Sequence, residues 1–417
     1  MGSILAAGRR PFRSTVTASS CKPFNACNIM SLRRLVVLAW MFAALAASCG
    51  PVSPVHNQAS GARVESPTPV TTASTSSTSN SERLVLAQLS GASTWVVLDV
   101  TDIGRPVTVA SLGQSWPYGE GKCGLGMLVR FVSASELVGV SDSCASGTAR
   151  LATESLDGSA GQTVVTSSGN IFGFGSSVDG TTWTYYVAND PNPQGAWHLL
   201  ANGSDRVIDS SGGLGPGEFF ADAGILVASA YSNDGRFMSL SNGDEVDIFN
   251  TAGALLNTWH HSTGPVPDGH DMVWTGDRLL FTTLDGIEQW DDKGLSLAVP
   301  GLRWIRAKLS PDGTQIVFHT NQAAGLPQVE VMNATSLKTT KVSPSGGTEG
   351  WFLDGTHVWY RGIEACPSPC GFQSYQPTGA AYVADLSAGT VVASRIVQVA
   401  DTWPRPGEAS VPWTSWT

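Results

Sequence analysis

The sequence predicts an all-β protein, a β-propeller with seven four-stranded blades whose ring is closed by the C-terminal strand pairing into the first blade. Three observations carry this expectation. The first is composition: 417 residues, 42% hydrophobic and only 14% charged, with 46 glycines and 14 tryptophans. Such a chain suits tight turns and packed pleated surfaces, and no long segment places apolar residues at the helical period. The second is a recurring turn-then-strand pattern. Asp179-Gly180 precedes TTWTYYV, Asp234-Gly235 precedes RFMSL, and Gly276-Asp277 precedes RLLFTTL. Asp312-Gly313 precedes TQIVF and Asp354-Gly355 precedes THVWYRG. Two degenerate copies are Ser81-Glu82 before RLVLAQL and Ser135-Glu136 before LVGVS. The third is pitch: the seven anchors are spaced by 54, 44, 55, 42, 36 and 42 residues. A period of about 40–50 residues with room for four strands is the mark of a propeller. If one degenerate anchor starts no blade, the count is six.

At each anchor the aspartate is expected to cap its own turn and the glycine to supply the positive φ of a tight hairpin. The following strand is expected to pack one face and leave the other unpacked. Units this small must stack to bury apolar surface. The final stretch, Glu408 to Trp416 (EASVPWTSW), resembles the strand before each anchor. The chain ends after it, so its partners are expected to be the strands after Ser81, a closure expected to remove exposed sheet edges.

Before the propeller lie segments of another kind. Residues 1–29 precede Met30 and read as a mis-assigned start, set apart from the fold together with Cys21 and Cys27. Residues 30–48 read as a signal peptide: Arg33 and Arg34, then an apolar run of thirteen residues, Leu35 to Ala47. That run is short of the roughly 20 residues a bilayer span needs, and suits a secretory segment. The paired arginines match twin-arginine export only in part. Leu45-Ala46-Ala47-Ser48-Cys49 resembles a bacterial lipobox, which implies lipidation at Cys49. The departure is Ala46 where leucine is usual, with a plain signal peptide as the alternative. From Pro51 to Ser81, seventeen of thirty-one residues are Ser, Thr or Pro, so 49–80 is expected to be a flexible stalk. Residues 81–417 would form the propeller.

Residues 1–49 hold six Lys or Arg and no Asp or Glu, which leaves a formal net charge of −16 on the remainder. So acidic a body repels phosphate backbones, which argues against nucleic-acid binding. Four cysteines follow Cys49. In an exported chain they read as disulfides, Cys366 with Cys370 locally and Cys123 with Cys144 between neighbouring strands. A zinc site from the two pairs is the alternative; no metal and no cofactor is expected.

With LSPDGTQIVF followed by PQVEVMNATSLKTTKVS, roughly residues 300–395 resemble the repeat of TolB-like propellers, which also belong to the WD40-like repeat class. Earlier blades match loosely. TolB has six blades and an extra domain, neither of which is evident here, so its partners are not carried over. Ser177-Val178-Asp179-Gly180-Thr181-Thr182-Trp183 is similar to a sialidase Asp-box shortened by one residue, an element that locks a hairpin and is not catalytic.

Segments leading into the innermost strands supply Arg130, Asn170, His270, Asp271, Arg303, Arg306, Glu349 and Glu408, candidates for a polar channel mouth. His260-His261 with His270-Asp271 is the densest metal-capable group, but adjacent strand histidines point to opposite faces, and His270 and Asp271 read as turn residues. Glu349 and Glu408 are the one carboxylate pair nominated for glycoside hydrolysis. No Gly-x-Ser-x-Gly elbow and no phosphate-binding glycine loop is present. The expectation is therefore a monomeric, lipid-anchored extracytoplasmic propeller that binds an envelope protein or polymer without catalysis. The alternative is an exported hydrolase of carbohydrates or lactones.

Overall fold

The computed structural model describes residues 83–112, 129–143, 148–209, 228–241, 245–260, 271–320, 325–370 and 373–403, apart from residues 93, 158, 160, 190 and 191. All elements among them are strands or turns, with no helix. The strands form seven four-stranded antiparallel sheets. Blade 1 begins with β1 (Leu84–Leu89), β2 (Val96–Asp99) and β3 (Val107–Ser111). Blade 2 is β4 (Val129–Ser133), β5 (Glu136–Ser143), β6 (Thr148–Ser155) and β7 (Thr163–Ser167). Blade 3 is β8 (Asn170–Ser176), β9 (Thr182–Asn189), β10 (Asn192–Ala201) and β11 (Ser204–Asp209). Blade 4 is β12 (Ala228–Tyr231), β13 (Phe237–Ser241), β14 (Glu245–Asn250) and β15 (Leu255–His260). Blade 5 is β16 (Met272–Thr275), β17 (Arg278–Thr282), β18 (Gly286–Asp291) and β19 (Gly294–Pro300). Blade 6 is β20 (Trp304–Leu309), β21 (Gln315–Thr320), β22 (Val329–Asn333) and β23 (Thr339–Lys341). Blade 7 is β24 (Gly347–Phe352), β25 (His357–Cys370), β26 (Gln373–Asp385) and β27 (Thr390–Ser394). The last strand, β28 (Ile396–Trp403), returns to blade 1 as its innermost member.

Seven blades are thus present, not six, and the C-terminal strand closes the ring. The closing strand lies earlier than expected. β28 pairs antiparallel with β1, Leu84 opposite Trp403 and Leu86 opposite Asp401, whereas Glu408 to Trp416 lies outside the described residues. Closure also leaves edges. β28 covers the inner edge of blade 1, but β3, β7, β11, β15, β19, β23 and β27 remain the outer edge strands of their sheets.

Why the blades stack is visible in the core. Among the described residues the buried apolar side chains form seven clusters, and each spans one interface between neighbouring blades. Strand alternation divides each sheet between two of them. Val85 and Ala87 enter the cluster shared with blade 7, while Leu84 and Leu86 enter the one shared with blade 2. Leu279 and Phe281 pack toward blade 4 and Leu280 toward blade 6. Ile316 and Phe318 pack toward blade 5 and Val317 toward blade 7. This corrects the one-faced expectation: the strand after each turn is buried on both faces, which is why Leu279-Leu280-Phe281 and Ile316-Val317-Phe318 are unbroken apolar runs. Burial of each such side chain contributes about 1.5–3 kcal/mol. Three indoles add directed bonds across interfaces. Trp274 Nε1 donates to Ser239 Oγ at 3.0 Å, Trp304 Nε1 to the Asp271 carbonyl at 3.2 Å, and Trp359 Nε1 to the Ile396 carbonyl at 2.6 Å.

Apart from Ser81-Glu82, outside the described residues, the anchors sit between the first and second strands of their blades. At Asp312, Oδ1 accepts from Ser310 Oγ at 2.6 Å, from the Thr314 amide at 3.1 Å and from Thr314 Oγ1 at 2.9 Å. Asp179 repeats this with Ser177 and Thr181, and Trp183 Nε1 closes the turn onto the Gly180 carbonyl at 3.0 Å. The Asp-box likeness is therefore a hairpin lock. Asp234 does the same with Ser232 and the Arg236 amide. Gly180, Gly235 and Gly313 hold φ of 68°, 69° and 72°. Gly355 does not share this geometry: its turn is one residue shorter, and Asp354 caps the amides of Thr356 and His357.

Two predictions follow from closure and locking. A full-length chain terminated after Arg395 lacks β28 and should lose its cooperative thermal transition, while termination after Pro404 should preserve it; equal behaviour of the two in calorimetry would place closure elsewhere. The Ser177 hydroxyl holds the Asp179 carboxyl below its usual range; at Asp234 and Asp312 burial opposes ionisation but is outweighed by the serine hydroxyl and the following amide. Because these native values are depressed, their stabilisation is complete above about pH 4 and is lost as the pH falls below it. Asp312→Ala should cost about 1–2 kcal/mol near neutrality, with the gap to the parent protein closing below pH 4 in denaturant titrations.

Candidate binding site at the inner strands

Inner strands of consecutive blades lie side by side, β12 with β8 and β16, and β20 with β16 and β24. Two of them share an irregularity. In β20, Ile305 pairs with His319 and Lys308 with Val317, so two residues oppose one. In β24, Thr348 pairs with Arg361 and Trp351 with Trp359, the same bulge one blade on. Arg306 and Glu349 are its first residues, with φ of 56° and 57°. Among the described residues, the other positive-φ positions that are not glycine, Asn202 and Leu337, lie in hairpin turns. A left-handed conformation at a residue bearing Cβ costs about 1–2 kcal/mol, and a bulge redirects the side chain that carries it. Gly350 completes the second bulge: a Cβ there would stand 2.6 Å from Val317 Cγ2 and 3.0 Å from Val329 Cγ1, so glycine lets β24 press against blade 6.

The two bulges aim opposite charges at each other. Arg306 Nη1 lies 2.7 Å from Glu349 Oε1, and Arg361 Nη1 lies 3.3 Å from Glu349 Oε2. All three side chains are recessed yet reach solvent, at 14%, 11% and 18% exposure for Arg306, Glu349 and Arg361. Arg303, half-buried, stands just before β20. His319 is buried on the neighbouring strand, its Nδ1 without a hydrogen-bond partner. Burial first, and the Arg306 charge second, push its imidazole down to about 3, so it is neutral at physiological pH. On the far side of the bulge the Lys308 ammonium sits 5.2 Å from the centre of the Trp351 ring. The cluster thus joins blades 6 and 7 with Arg306 and Arg361 on Glu349.

The remaining candidates divide. Asp271 is no turn residue: it is buried, and its Oδ2 accepts from the Ala307 amide at 2.5 Å, bracing blade 5 against the bulge of β20. Asp401, missed from sequence, makes the matching bond to the Phe131 amide, joining blade 1 to blade 2. Arg130 lies in β4 itself, buried; it donates to Ser176 Oγ at 2.7 Å and covers the Phe174 ring at 5.0 Å. It is an interface residue of blades 2 and 3. Asn170 opens β8 opposite Ala188, and its side chain is outside what is described. Cys49, Cys123, Cys144, His261, His270 and Glu408, the second member of the Glu349–Glu408 pair, also lie outside the described residues. Cys370 ends β25, its backbone paired with Gln373.

Sequence reasoning found Arg306 and Glu349 but missed Arg361 and His319. The missed pair occupy one place in consecutive blades, opposite Thr348 and Ile305. Ser241 and Thr282 hold that place in blades 4 and 5. A polar residue ending the apolar run after each turn was the available signal.

Of the histidine group, His261 and His270 lie outside the described residues. His260 Nδ1 lies 3.0 Å from Glu245 Oε2, beside Asp209 and Asp247, whose carboxylate oxygens fall with that of Glu245 within 4.8 Å. Thr258 Oγ1 donates to Asp247 at 2.6 Å. Burial, with Glu245 and Asp209 adding to it, pushes Asp247 up to about 6 against the Thr258 bond and the His260 charge. A carboxyl with a raised native value contributes least once it ionises, so stability falls as pH rises through 6. Asp247→Asn should therefore raise the Tm at pH 8 and change it little below about pH 4, where the carboxyl is protonated in both states; an equal shift at both would contradict the assignment. An open cleft of about 490 Å³ lies at the turn end between blades 5 and 6, its Arg278 and Lys293 set among Asp277, Asp291 and Asp292.

No protein-family model and no curated protein matches the chain. Solved structures resemble it in fold. TolB from Acinetobacter baumannii matches at 16% identity and a TM-score of 0.38, over 79% of this chain and 83% of that one. A putative 6-phosphogluconolactonase from Bacteroides fragilis matches at 11% identity and a TM-score of 0.46, over 78% and 98%. A puromycin-hydrolysing peptidase from Mycobacterium tuberculosis matches at 14% identity and a TM-score of 0.45, over 76% of this chain and 54% of that one. Propellers of TolB and peptidase type are thus among its neighbours, and the likeness is one of architecture.

Proposed function

We propose that the chain is a lipid-anchored, extracytoplasmic β-propeller that binds an envelope protein through the entry end of its inner strands, without catalysis. The observation that carries this reading is the separation of two ends of the wheel. β1 is the second strand of its blade, so the chain enters the wheel at Arg83 on the face that bears the Asp-Gly turns. Arg306, Glu349 and Arg361 lie toward the opposite end, where each inner strand begins. Arg33, Arg34, the apolar run Leu35 to Ala47 and Cys49 support export and anchoring. A disulfide at Cys366 fits an oxidising compartment. Its partner by spacing is Cys370.

Cys49→Ala should move the protein from the membrane fraction to the soluble fraction of fractionated cells. A photo-crosslinker placed at Arg303 in the otherwise intact chain should trap a defined partner in living cells, and Arg361→Glu should abolish the adduct. An unaltered membrane fraction for Cys49→Ala, or no adduct together with turnover of glycosides or lactones by the purified chain, would overturn the reading.

A further inference from the structure

A sheet edge offers a row of backbone N–H and C=O groups to any strand that can pair with it, and folded proteins blunt such edges with bulges, charges, prolines or brevity. The outer strands of this wheel follow that rule with one departure. In five blades the outer strand carries one extra residue against its neighbour: Val109 in β3, Val164 in β7, Ile208 in β11, Leu256 in β15 and Ala298 in β19. Each is a bulge that bends the edge away from regular pairing. In blade 6 the outer strand, β23, has only three residues and ends on Lys341. Among the described outer strands β27 alone has none of these features. Thr390 to Ser394 (TVVAS) pairs residue for residue with β26, from Thr390 opposite Asp385 to Ser394 opposite Ala381, with no shift of register. It holds no charge and no proline, and Val391 and Val392 are 37% and 60% exposed.

We propose that β27 is a docking edge, to which an extended segment of a partner protein adds as a fifth strand of blade 7. The regular ladder lets main-chain pairing run along the whole edge, and its β-branched side chains suit a strand neighbour. The edge is five residues long, which is about 17 Å. A strip of that length falls well short of the roughly 1,200 Å² that a stable association of two folded bodies buries. It fits a single peptide segment and not a second copy of this chain. Arg395 follows the edge directly and is exposed, so the adjoining end of the added strand takes a carboxylate. Antiparallel addition continues the pairing of the blade and is the more stable kind. It sets that carboxylate at the N-terminal end of the segment. The partner segment is thus an extended, β-branched run preceded by an acidic residue. This edge lies on the outer rim of blade 7, and the inference goes beyond the inner-strand binding proposed above without resting on it.

The test uses the full chain and calorimetric titration with the acetylated, amidated peptide Glu-Thr-Val-Thr-Val-Thr. Wild type should bind it, and exchanging its glutamate for lysine should weaken binding severalfold. An added strand turns only every second amide toward the edge. Methylating alternate backbone amides of the peptide should therefore abolish binding in one frame and leave it intact in the other. Val392→Lys puts a charge on the edge and should weaken the peptide by about tenfold or more with the Tm unchanged, while Val392→Thr should keep it. Absence of binding by wild type, or equal effects of methylation in both frames, would overturn the proposal. So would a dimer in sedimentation that Val392→Lys dissolves, because the occupant would then be a second copy.

Discussion

No blade of this protein can bury its own surface, and the rest of the structure follows from that constraint. A four-stranded sheet has two faces and no interior. The apolar side chains of each sheet therefore divide by strand alternation between two neighbours, and seven clusters fill the seven interfaces. A row of such sheets would leave two terminal faces wet. Only a ring removes both, so β28 must return to β1. Its return gives Ile396 and Val399 to the cluster with blade 7, and the Ile396 carbonyl to the indole of Trp359. Closure is a condition of burial here and not an added fastening.

The same geometry brings the inner strands close enough for polar contacts from blade to blade. Asp271 to the Ala307 amide, Asp401 to the Phe131 amide and Arg130 to Ser176 are all of this kind. Each is buried and braces one interface. Arg306 with Glu349 differs in being partly open to water, in sitting on paired bulges and in recruiting Arg361. The difference between brace and site lies in the backbone. A regular strand would have turned these side chains into the interfaces with the rest, whereas the bulge re-aims them along the inner face.

The described acidic group of Asp209, Glu245 and Asp247 shows the opposite case. Its carboxyls are crowded by burial and by each other, and Asp247 responds by holding its proton to about pH 6. Like charges are relieved there by protonation and by Thr258, whereas at Glu349 unlike charges are opposed directly. Two clusters of ionisable groups in one wheel thus settle their electrostatics by different means.

Much of the architecture was legible along the chain because its cause is local. An Asp-Gly turn followed by an apolar run needs only neighbouring residues, and Asp179, Asp234 and Asp312 lock their hairpins through serine and threonine a few positions away. Repetition of that unit fixes the blade count. What the sequence could not carry is any contact between blades: that the apolar residues of RLLF and QIVF are buried on both faces, that closure uses Ile396–Trp403, that Asp271 braces a strand instead of turning a loop. Arg306 and Glu349 could be named from sequence as charges near inner strands. Their meeting with Arg361 and His319 depends on two bulges and on the 43 and 12 residues of chain that separate the ion partners folding back beside one another. The local code wrote the blades, and only tertiary packing, by forcing seven half-buried sheets into a ring, decided which charges would face each other.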